Sequence, residues 1–241
     1  MTQSPPDEGV VLRLKPLGER AGGVVTLFTH ENGLMRGMVR VSKKATADML
    51  SGNIVRVERW RRLDNQLGSL TLELLSSSAA LVMREDGVGA LLVGYFAEIL
   101  TVLMPEEHAY PVIYEAVLRM LADCPRDMTA LGRDVAEFER LVLQEVGYGL
   151  ALGEDAVREG VDDVLVWVSP NTGRAVGALA GEPYADKLLP LPAVWAGQAA
   201  DWTGEADEVA KALRVTGHFL YRACGQDVVS RERLVARILR L

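Results

Sequence analysis

The 241 residues are 49% hydrophobic and 24% charged, enough apolar material for one large domain or two small ones. Two cysteines, Cys124 and Cys224, are too few and too far apart for a disulfide scaffold or a Cys-x-x-Cys metal motif. The formal net charge of −7 argues against a polyanionic partner, but residues 1–75 hold eleven Lys/Arg against eight Asp/Glu, a net of +3, and leave −10 to the rest; such a split points to one part meeting a polyanion.

The amino terminus lacks a basic stretch followed by an apolar run, so no signal peptide is expected. Residues 9–75 are then strand-like. Val10-Val11-Leu12-Arg13-Leu14-Lys15 ends in alternation, and Gly23-Val24-Val25-Thr26-Leu27-Phe28-Thr29 is rich in β-branched residues. Leu34-Met35-Arg36-Gly37-Met38-Val39-Arg40-Val41 follows a turn at Asn32-Gly33. Ile54-Val55-Arg56-Val57-Glu58 and Leu70-Thr71-Leu72-Glu73-Leu74 alternate as well. Five short strands in this length fit a closed OB-type β-barrel over residues 1–78, although the residues alone leave other five-stranded barrels open.

From residue 79 the period becomes helical, and residues 79–241 are read as a helical domain, giving an α+β multidomain protein. Helices are expected at 87–104, 107–122, 127–146, 206–224 and 230–241. The stretch 88–104 is the most apolar, but Glu98 and two glycines make it a poor membrane span, and a cytosolic protein is expected. A small β insertion near 160–181 is built from Val164-Leu165-Val166-Trp167-Val168, a turn at Ser169-Pro170-Asn171-Thr172-Gly173, and a returning Arg174-Ala175-Val176. Residues 182–204, with three prolines and two tryptophans, are not assigned.

No catalytic constellation is legible. His30, His108 and His218 fall in three different elements without metal-ligand spacing. Ser169 has no nucleophile elbow, and no phosphate-binding loop occurs. Glu106 and Glu107 are read as a solvated face or helix-capping carboxylates. A small enzyme with a site around His108 or Ser169 remains an alternative.

Binding is better supported. The barrel segment carries Arg13, Lys15, Arg36, Arg40, Lys43, Lys44, Arg56, Arg61 and Arg62, the candidate DNA contacts. Arg36 and Arg40 lie four apart on one strand and so share a face. Cations on one barrel face suit a sequence-tolerant grip on phosphates. The other reading makes them the polar outside of an ordinary barrel, or part of a general single-strand-binding OB module.

Several short runs, in order, resemble the bacterial RecO DNA-repair family. They are Gly18-Glu19, Val24-Val25-Thr26-Leu27-Phe28-Thr29 and Gly33-Leu34-Met35-Arg36-Gly37, then Leu103-Met104-Pro105-Glu106-Glu107 with Tyr114. Phe138-Glu139 with Leu143 and Gly147-Tyr148-Gly149-Leu150 follow, then Ser169-Pro170 with Gly173-Arg174-Ala175-Val176. Leu188-Leu189-Pro190-Leu191-Pro192 and Thr216-Gly217-His218-Phe219-Leu220 complete the order. The resemblance implies an amino-terminal OB barrel, a helical carboxy-terminal domain and no enzymatic turnover. It further implies binding of single- and double-stranded DNA, strand annealing, and partnership with RecR and with the acidic tail of single-stranded-DNA-binding protein. The outcome would be loading of RecA on coated strands, in the cytoplasm and near the nucleoid. Arg133, Arg140, Arg214 and Arg231 are the candidate rim for that tail. Many relatives carry a cysteine zinc site in the insertion; residues 151–176 hold no cysteine here, so neither metal nor cofactor is expected.

Overall fold

The computed structural model describes residues 2–3, 5–17, 22–40, 49–61, 67–155, 163–199, 201–202 and 206–240. The chain divides into two compact units, Met1–Cys124 and Pro125–Leu241.

The first unit opens with six strands: β1 (Thr2–Gln3), β2 (Asp7–Pro16), β3 (Gly22–Thr29), β4 (Gly33–Arg40), β5 (Ile54–Arg61) and β6 (Ser69–Ser76). They form one sheet in the order β1-β5-β2-β3-β4-β6, and β5 also pairs with β6, so the sheet closes. The long strands β2–β6 are the expected five-stranded, OB-type barrel. Neighbours are antiparallel except β4 and β6, which meet in parallel at Met38 and Ser69. Period-two alternation turns Val25, Leu27, Met35, Val39, Val55, Val57 and Leu70 into the barrel core.

Three helices follow: α1 (Ala79–Val82), α2 (Val88–Leu103) and α3 (Pro111–Ala122). The strand-to-helix change at residue 78 is where the sequence places its domain boundary, but the compact unit runs on to Cys124. The outer side of β2 explains this. Val10 and Leu12 are buried there, beside Val93 and Phe96 of α2 and Leu121 of α3. Without these helices the barrel would expose an apolar patch. Pro111 occupies the first helical position of α3, where a missing N–H costs nothing.

The second unit holds α4 (Met128–Glu145), β7 (Ala151–Asp155), β8 (Leu165–Val168), β9 (Arg174–Gly177), α5 (Ala178–Gly181), a 3-10 turn at Glu182–Tyr184, β10 (Leu189–Pro190), α6 (Ala206–Cys224) and α7 (Val229–Leu239). Asp127 caps α4 by accepting from Thr129 N (3.3 Å) and Ala130 N (3.0 Å). Helices α4, α6 and α7 pack together, and the strands form a sheet in the order β10-β8-β9-β7. This sheet is wider than the expected insertion at 160–181. β7 pairs in parallel with β9, and β10 adds an edge from the segment left unassigned. No described helix is long and apolar enough to cross a membrane.

Candidate nucleic-acid interface

The cationic face comes from cross-strand register. Arg13 of β2 stands opposite Thr26 of β3, and Thr26 opposite Arg36 of β4. The next row is Lys15, Val24 and Met38, and Arg40 faces Gly22. Arg13, Lys15, Arg36, Met38 and Arg40 are all exposed. Strand geometry sets Arg13 about 10 Å from Arg36 across two strand steps and about 7 Å from Lys15 along one strand.

A β-bulge makes this placement possible. The β2–β3 register shifts between Val11 and Arg13. Val11 points into the core, Leu12 outward against α2, and Arg13 outward again into solvent. The extra residue lets one strand present an apolar end to a helix and a cationic end to a groove. That groove has a volume of about 620 Å³. Its barrel wall includes Arg13, Lys15, Thr26 and Arg36, and its helical wall Gly94, Ala97, Glu98 and Thr101 of α2.

The segment after α2 supplies counter-ions that sequence reasoning missed. Glu106 and His108 form parallel bridges with Leu34 and Gly33. Gly33 has φ +61°, and a Cβ there would lie 1.8 Å from His108 O, so only glycine admits this crossing. The crossing sets the Glu106 carboxylate on the Arg36 guanidinium as an ion pair. Glu107 turns the other way and pairs with Arg59 Nη1 (3.1 Å) and with Arg61. These carboxylates are exposed, as a solvated face would be, but both are engaged in ion pairs, and they do not cap a helix. The helix begins later, at Pro111.

Arg61 therefore departs from its expected part as a free surface cation. It shares the inward face of β5 with Val57 and Arg59, and its side chain is largely covered. The hydrogen bond from Arg61, then the charge of Arg59, holds the Glu107 carboxyl below its ordinary value. Burial, with the neighbouring Arg61 charge, lowers Arg59, which as a guanidinium nonetheless stays protonated. Arg56 also stands apart from the groove, paired with Glu73 of β6 at 3.0 Å. Lys43, Lys44 and Arg62 lie outside the described residues.

In the second unit the four candidate rim arginines have different fates. Arg214 is exposed on α6, and Arg133 is half-buried on α4. Arg140 pairs with Glu137 (2.9 Å) and stands 6.0 Å over the Trp195 ring. Arg231 is not a rim residue. It donates Nε to Glu139 Oε1 (2.7 Å) and Nη2 to Glu139 Oε2 (2.9 Å) and Leu213 O (2.7 Å). Glu139 is fully buried and also accepts from the Thr216 hydroxyl. A Cβ on Gly217 would lie 2.7 Å from the Arg231 guanidinium, so that glycine makes the room. The runs Phe138-Glu139 and Thr216-Gly217 thus meet in one buried ion pair.

The same applies to Ser169-Pro170. His218 Nε2 donates to Pro170 O (2.9 Å), and Arg222 Nη1 to Pro170 O (2.6 Å) and Asn171 O (3.0 Å), so α6 pins the turn. Ser169 Oγ accepts from Thr172 N within that turn. The His108 ring meets Tyr110 edge-on. Among the described residues no three His, Cys, Asp or Glu come together to hold a metal.

Comparison with known proteins settles the lineage. Residues 84–232 match the model of the family "Recombination protein O C terminal", more than half of the chain. The chain is 36% identical to the DNA repair protein RecO of Methylorubrum populi over 243 residues, covering 95% of this chain and 96% of that one. This chain belongs to the RecO family. Two further RecO proteins agree, from Granulibacter bethesdensis (36% identical; 88% and 84% covered) and Brucella abortus (37%; 90% and 86%). Within this RecO-family chain, the matched region takes in the buried Glu139–Arg231 pair and both Glu106 and Glu107, while the cationic rows of β2–β4 precede it.

Proposed function

We propose that this chain is a recombination mediator in DNA repair that holds DNA phosphates on the outer face of β2–β4. The observation that carries the reading is the convergence of Arg13, Lys15 and Arg36 on one open groove, with Arg40 beside it. The relatives' name, DNA repair protein RecO, supports the same role. The groove wall is poor in aromatic rings, so phosphate contacts dominate over base stacking and binding tolerates any sequence.

The grip extends to single and double strands, since both offer phosphates. Neutralising two strands at once lowers the repulsion that opposes their encounter, and annealing follows. RecR and the acidic tail of single-stranded-DNA-binding protein are the protein partners, and RecA loading on coated strands is the outcome, in the cytoplasm at the nucleoid. For the tail, Arg133, Arg140 and Arg214 remain the candidate contacts in the second unit, with Arg231 reserved to Glu139.

A strand-annealing assay on complementary oligonucleotides coated with single-stranded-DNA-binding protein tests this, run with and without RecR. Annealing that depends on Arg13, Lys15 and Arg36 is the expected result. Annealing no faster than the uncatalysed rate contradicts the proposal.

A further inference from the structure

Strand β2 is cationic at one end and acidic at the other. About five residues, or roughly 17 Å of strand, separate Arg13 from Glu8. At the acidic end lies a pocket of about 400 Å³ whose walls include Asp7, Glu8, His30, Glu31, Tyr114 and Glu115. Arg56 also reaches it, but its guanidinium is paired with Glu73 at 3.0 Å.

The carboxylates divide by what they already do. Asp7 serves the β3–β4 turn, accepting from Glu31 N (3.2 Å) and Asn32 Nδ2 (2.8 Å). Glu31 meets His30 Nδ1 at 2.7 Å. Glu8 and Glu115 are exposed, and their carboxylates carry no partner among the described residues. Tyr114 lines the same pocket, only 2% exposed, with an enclosed hydroxyl that has no hydrogen-bond partner among the described residues. Burial first, then Glu8, Asp7 and Glu115, push this hydroxyl up, so it stays protonated and neutral. A buried hydroxyl left unpaired is destabilising, and a bound group would relieve it.

The chemistry of the pocket selects its occupant. The described acidic groups do not converge as a metal-ion site. A planar guanidinium is a cation with five donors in a fork, and so suits a pocket that offers free carboxylates and a neutral acceptor oxygen. Pro6 and Leu118 line the pocket and suit an aliphatic stem. We infer that this pocket receives an arginine side chain of a partner protein, held by Glu8, Glu115 and the Tyr114 hydroxyl. The site stands clear of the cationic groove, so its occupation leaves that groove open, and it does not depend on DNA being the groove's ligand.

The test is an amide-resolved NMR titration of the labelled full chain with N-acetyl-arginine methylamide, beside its neutral citrulline analogue and magnesium chloride. Saturable shifts with the arginine probe are expected at residues 7–8, 30–31 and 114–118. Binding should weaken by about fivefold or more in Glu115→Gln and in Tyr114→Phe, since each removes one partner of a charge-assisted contact. Tyr114→Phe should melt no lower than wild type, because the hydroxyl it removes bonds nothing. Equal response to citrulline, response to magnesium alone, undiminished binding in both variants, or no saturable shift would each overturn the inference.

Discussion

Arg231 grips Glu139 through two parallel hydrogen bonds, Nε to Oε1 at 2.7 Å and Nη2 to Oε2 at 2.9 Å, with Glu139 wholly out of water. Removing one partner strands a buried charge. Arg231→Ala is expected to lower unfolding stability by about 3–5 kcal/mol, while an apolar pair such as Glu139→Leu with Arg231→Met recovers most of it. Chemical denaturation reads both. Unchanged stability in Arg231→Ala would return this residue to the rim of a partner site.

A second ion pair gives a pH signature. Glu107 is part exposed, so solvent screening limits the effect of Glu107→Gln to about 1 kcal/mol at neutral pH, with Arg59 losing its counter-charge. The carboxyl is held below its ordinary value of 4.5. Its contribution is complete above that value and lost as pH falls through the lower folded value. Melting curves should show a steady gap between wild type and variant from about pH 8 to about pH 6, closing below about pH 4.5. A gap that widens on acidification contradicts the assignment.

Glu106 acts on the groove itself. It already neutralises Arg36, so a phosphate must share or displace it. Glu106→Gln should tighten DNA binding by about two- to fivefold at low salt, within the range of an exposed ion pair. Weaker binding in this variant, measured by fluorescence anisotropy, would mean that the pair positions Arg36 rather than competing for it.

Gly33 holds the segment that delivers both glutamates. With φ +61° and His108 O where a Cβ would sit, Gly33→Ala should cost at least about 2 kcal/mol. A thermal midpoint within error of wild type would show that the crossing at residues 106–108 is not tightly held.

The barrel was legible because its signals are local. Alternation at Ile54-Val55-Arg56-Val57 and the Asn32-Gly33 turn need no tertiary information. β7 was not, since Ala151-Leu152-Gly153-Glu154-Asp155 has no β-branched residue and is a strand only through its pairing with β9. Among the cations, Arg13, Lys15, Arg36 and Arg40 share a face, as strand periodicity allows. Arg61 looks equivalent in sequence, yet parity turns it inward and Glu107 covers it. Glu106, Glu107, Glu139 and Arg231 gave no local signal because their partners are 46 to 92 residues away along the chain or reach them only through a chain crossing.

The salt dependence of single-strand binding tests the central claim most directly. Arg13→Gln, Lys15→Gln and Arg36→Gln combined should reduce the slope of log K against log salt by about 2, near 0.7 for each phosphate no longer neutralised. Arg56→Gln, away from the groove, should leave the slope unchanged. An unaltered slope in the triple variant, or an equal reduction in Arg56→Gln, would contradict the account.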